Sequence, residues 1–170
     1  GEPLKVNVPS FNDILGDKLT AFAPNTTGIL YGKGKEMEIA KQLFDIGTLF
    51  NYASNIDVIR QTFNATAQVQ MGYRSIDGTP NVVLDDVVNT ALLISTQGQN
   101  GKGDYNELSD GISKVSNFII SGSYNIQKAI TDAAKAAYIA ALIRSGKYMI
   151  EKFTDAVQIK DWEIEQPFST

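Results

Sequence analysis

Residues 9–22, Pro9-Ser10-Phe11-Asn12-Asp13-Ile14-Leu15-Gly16-Asp17-Lys18-Leu19-Thr20-Ala21-Phe22, read as one amphipathic helix. Phe11, Ile14, Leu15, Leu19 and Phe22 recur at helical spacing and make one apolar stripe. The i+7 member of that stripe is Lys18. At about 100° per residue it falls in the middle of the apolar face, not at its edge. A lone ammonium there needs an anionic partner or must lose its proton, because desolvating it costs several kcal/mol. Two readings follow. Lys18 snorkels, with its stem in the core and its amine at the rim, or it is aimed into a cleft to hold a phosphate or carboxylate.

Working outward, the same periodicity continues through the chain. Ser10, three residues before Asp13, offers a capping-box-like start, and Pro24-Asn25 stops the helix near Ala23. Residues 24–34 form a loop. Further helices are expected over about 35–53, 56–73 (capped by Ser54 or Asn55), from the Gly78-Thr79-Pro80 start onward, 105–120 and 124–145. A short seventh is expected from Lys147 to about Phe153. The glycine-rich loop 97–104 separates the fourth and fifth. The 124–145 segment is rich in alanine, which allows close helix packing. Ahead of all this, Leu4, Val6 and Val8 alternate with Lys5 and Asn7 as a short strand, which is not stable alone. Its partners would precede Gly1 or, as a weaker option, lie in the alternating stretch 156–164. The expected fold is mainly all-α. It is an up-and-down bundle of six or seven helices over residues 10–170, with residues 1–9 as the closing strand of a preceding α/β domain.

Composition narrows the chemistry. The 170 residues are 43% hydrophobic and 20% charged, ordinary for a globular domain with a real core. Cysteine and histidine are both absent. That excludes disulfides, thiolate metal sites and every Ser-His or Cys-His nucleophile arrangement. The net charge of −4 argues against a broad nucleic-acid footprint. No apolar run approaches the roughly 20 residues needed to span a bilayer, and a cytoplasmic location is the default expectation.

On the second helix, Glu38, Lys41, Gln42, Asp45 and Thr48 share one stripe. They form either a solvated face with a Lys41–Asp45 surface pair or a wall of the cleft that Lys18 faces. The loop Tyr31–Glu36 carries two glycines and two lysines but lacks the spacing of a phosphate-binding P-loop. Asp85 and Asp86 point about 100° apart on a helix and do not chelate one ion, so a solvated edge is expected for them. Gly122-Ser123 and Asp132 form no recognisable site.

Two pieces, residues 7–22 and 38–50, together resemble the AbiEii/AbiGii-type nucleotidyltransferase toxins of abortive infection and toxin–antitoxin systems. Gly16-Asp17-Lys18-Leu19 matches the family's helix core. Lys41-Gln42-Leu43-Phe44-Asp45 matches its basic and aromatic-Asp element, with Asp45 placed 27 residues after Lys18. The loop after the first helix, Pro24 to Ile29, resembles that of a bacterial subgroup. The match spans roughly residues 6–50. Gln42 departs from it, standing where many relatives carry an acidic residue. The resemblance implies a transferase moving a nucleotide from NTP to a tRNA or protein acceptor. Lys18 would contact nucleotide phosphates, Asp45 would orient or activate a group at the transfer site, and Lys41 would be an auxiliary phosphate contact. It also implies Mg2+ in the whole enzyme, held by a Gly-Ser…Asp-x-Asp element that this chain lacks, so the chain alone is expected to be inactive. An antitoxin protein is an implied partner. The alternative is a non-catalytic helical module that binds an antitoxin or RNA.

Overall fold

The computed structural model describes residues 7–119 and 123–152. They form six helices: α1 (Phe11–Ala21), α2 (Glu36–Phe50), α3 (Ile56–Tyr73), α4 (Asn81–Ser95), α5 (Tyr105–Ser116) and α6 (Ile126–Ser145). The capping box at α1 is complete. Ser10 Oγ accepts from the Asp13 N–H at 3.2 Å, and the Ser10 N–H donates to Asp13 Oδ2 at 3.0 Å. Thr62 Oγ1 on α3 donates to the other Asp13 oxygen at 2.9 Å, so the cap also fastens α1 to α3. These donors, the Ser10 hydroxyl first, hold the Asp13 carboxyl below its ordinary range. Asn55, not Ser54, caps α3, and Asp104 and Asn125 cap α5 and α6.

The helices form a bundle, but apart from α1 against α2 the main packing is not between successive neighbours. α1 lies on α3, α2 on α1, α5 and α6, and α4 on α6, whereas α2 and α3, and α3 and α4, barely touch. This corrects the up-and-down order expected from the short connections. The small residues decide it. A Cβ on Gly16 of α1 would stand 2.7 Å from the Ile59 carbonyl oxygen and 3.0 Å from the Phe63 nitrogen, so α1 rests on the backbone of α3. On α6, Ala129, Ala133, Ala136, Ala137 and Ala140 are all buried, as the alanine content predicted, and they admit α4 and α2. One apolar cluster links all six helices, with Phe22, Phe63, Leu15, Leu19 and Leu43 among its fully buried members.

The seventh helix does not form over residues 147–152; Phe153, its predicted end, lies outside the described residues. Gly146, at φ 67°, ends α6 in the left-handed conformation. Arg60 of α3 then takes the carbonyls that a continuing helix would use, donating to Leu142, Ile143 and Lys147. Of the expected strand, residues 4–6 and its C-terminal partner 156–164 lie outside the described residues, while Asn7 and Val8 form no strand. No helix among the described residues is long and apolar enough to cross a membrane.

Candidate functional site

Lys18 meets Asp45. The α1 stripe that buries Leu15 and Leu19 turns Lys18 toward α2, where Nζ lies 2.8 Å from Asp45 Oδ2. The side chains are 26% and 35% exposed, so the pair sits at the rim of the core, not inside it. Around it Ile14, Phe44, Thr48 and Leu49 complete a hollow of about 230 Å³. A half-exposed ion pair stabilises by about 1 kcal/mol at most, whereas burying a leucine at that stripe position would contribute about 1.5–3 kcal/mol. The pair therefore does less for stability than the leucine that the periodicity calls for.

Lys41 is not part of this arrangement. It is exposed, makes no ion pair among the described residues and does not line the hollow. The surface Lys41–Asp45 pair does not form, because Asp45 is taken by Lys18.

Asp85 and Asp86 divide as their helical spacing requires, but not as a solvated edge. Asp85 is exposed and paired with Arg144. Asp86 is 5% exposed and accepts four hydrogen bonds, three of which, from Asn25 and Thr26, tie the loop after α1 to α4.

Asp132 is the residue that the sequence reading missed. Tyr124 Oη donates to its Oδ2 at 3.0 Å, and Lys135 Nζ stands 3.6 Å from Oδ1 while donating to the Gly47 carbonyl at 3.1 Å. A pocket of about 280 Å³ surrounds the group and shares Phe44 and Thr48 with the Lys18 hollow. Burial raises the Asp132 carboxyl above its ordinary value, against the opposing pull of Tyr124 and Lys135. The signal was present: Asp132 is flanked at i−3 and i+4 by Ala129 and Ala136, both fully buried, the same misfit that marked Lys18.

A pH dependence follows. With its native pKa raised, Asp132 takes up a proton in the folded state before it does in the unfolded chain. Stability is therefore gained as pH falls from the raised value toward the ordinary 3.8. Asp132→Asn keeps an acceptor for Tyr124. It should be more stable than the parent at pH 7, with an advantage that shrinks as pH falls toward 4. Urea unfolding at both pH values checks this, and an advantage that grows on acidification would refute it.

Among the described residues no three acidic side chains converge as a metal site. Comparison with known protein families, curated proteins and solved structures finds no match for the chain.

Proposed function

We propose that this chain is the helical C-terminal part of an AbiEii/AbiGii-like nucleotidyltransferase toxin, and that its Lys18–Asp45 pair belongs to the nucleotide-transfer site. The observation that carries the reading is the 2.8 Å contact between two residues 27 positions apart, the same two that the resemblance assigns to the site. The pair lies in an open hollow and contributes little to stability, which favours a working role over a structural one.

In nucleotidyl transfer an acceptor oxygen attacks the α-phosphorus of NTP, a new P–O bond forms, and pyrophosphate leaves. Positioning and charge stabilisation are the main tasks of the protein. Lys18 suits a point-charge contact to phosphate oxygens. Asp45 holds the ammonium in place before NTP arrives and orients it afterwards. Lys41, exposed one turn before Asp45, is an auxiliary contact to a phosphate that extends beyond the hollow. On this reading the magnesium of the whole enzyme would be held by carboxylates outside the described residues. The acceptor is an RNA or a protein, and an antitoxin is the regulatory partner.

The test uses the longer polypeptide that this reading requires. Lys18→Ala and Asp45→Asn are each expected to lower transfer from labelled NTP by about 100-fold or more, with thermal unfolding nearly unchanged. Undiminished transfer in Lys18→Ala would leave only a snorkelling lysine. An upstream reading frame without a Gly-Ser…Asp-x-Asp segment would also sink the proposal.

A further inference from the structure

We infer that the cleft between the end of α1, the loop 27–35 and the C-terminal half of α3 is a separate binding site for a small phosphate-bearing ligand. It does not rest on the nucleotidyltransferase reading. On α1, Asp17, Thr20 and Ala21 line this cleft, whereas Ile14 and Lys18 line the other hollow. Its volume is about 650 Å³, within the range of small-ligand sites.

The charge of the cleft opposes that of the chain. The whole chain is acidic, at −4, yet this cleft gathers Lys33, Lys35 and Arg74 against a single acid, Asp17. Among the described residues neither lysine forms an ion pair. Arg74 uses one N–H to donate to the Thr26 carbonyl at 2.8 Å, which fixes its planar fork at the cleft wall with further donors available. Gln70 and Thr66, one and two turns before Arg74, the C-cap of α3, add neutral hydrogen-bonding groups. The lysine loop is anchored, since the Gly32 N–H donates to both carboxylate oxygens of Glu107 at 2.9 and 3.1 Å. Leu30 supplies an apolar wall for the part of the ligand that carries no charge.

Three cations with a fork-shaped donor among them match the multiple oxygens of a phosphate or diphosphate better than a single carboxylate. Cleft size and the acidic remainder of the surface favour a small ligand over a long polyanion, which that remainder would repel.

Inorganic pyrophosphate is the probe, titrated calorimetrically into the 170-residue chain at low salt. Saturable binding at one site is expected. The Lys33→Ala/Lys35→Ala double variant, which alters only exposed side chains, should raise Kd about ten-fold or more. Lys128→Ala, an exposed lysine outside the cleft, should leave Kd unchanged. Absence of saturable binding, or an unchanged Kd in the double variant, would overturn the site. A single-stranded RNA oligomer that binds more tightly than pyrophosphate through the same two lysines would overturn the small-ligand assignment.

Discussion

Asp86→Ala is expected to destabilise the chain by about 2 kcal/mol, because it removes a carboxylate that is 5% exposed and accepts four hydrogen bonds, one of them from the buried Thr90 hydroxyl. The carboxylate accepts from the Asn25 N–H at 2.8 Å, Asn25 Nδ2 at 2.6 Å, Thr26 Oγ1 at 2.8 Å and Thr90 Oγ1 at 3.2 Å. It thereby pins the loop that leaves α1 onto the side of α4. Alanine supplies none of these acceptors, and water can reach Asn25 and Thr26 but not the buried Thr90 hydroxyl. Asp86→Asn retains the shape but turns an NH2 group toward donors, so it too should be costly. Asp85→Ala is the contrasting measurement. That residue is exposed and its pair with Arg144 lies at the surface, so a change within about 0.5 kcal/mol is expected. Urea midpoints at constant m-value compare the two; equal shifts would show that Asp86 is no hub.

Gly16→Ala is expected to destabilise by about 3 kcal/mol, a drop in Tm of roughly 6–12 °C for a chain of this size. On an open helix face the same change would stabilise by about 1 kcal/mol through propensity. The sign is decided by what the new methyl meets. The Ile59 carbonyl oxygen at 2.7 Å and the Phe63 nitrogen at 3.0 Å are backbone atoms of α3 and cannot rotate away. α1 would have to lift, and Lys18, two residues on, would move relative to Asp45. A variant with higher Tm would mean that the two helices do not approach as closely as described.

Helix positions were legible because their signals are local. Ser10 and Asn55 act within a turn of themselves, and the apolar spacing of Leu15, Leu19, Ile39 and Leu43 names the buried faces directly, whereas the stop at Gly146 went unread and a seventh helix was expected beyond it. Lys18 was legible as a misfit in that spacing, and Asp45 as a member of a polar stripe. Asp86 was misjudged because three of its four donors come from a loop about 60 residues earlier in the chain, and no periodicity reports such a partner. Asp132 went unread because its alanine neighbours do not advertise burial as leucines do, although the wheel held the clue.

The sequence by itself determined where the six helices among the described residues lie, the cap of α1 and the charge at the centre of the α1 stripe, since each depends on residues within a few positions of one another. Tertiary structure decided which helices pack together, through backbone approaches at glycine and alanine. It also decided which acid answers Lys18. Lys41 is closer to Asp45 in sequence, but α1 crosses α2 where Lys18 reaches the carboxylate first, at 2.8 Å.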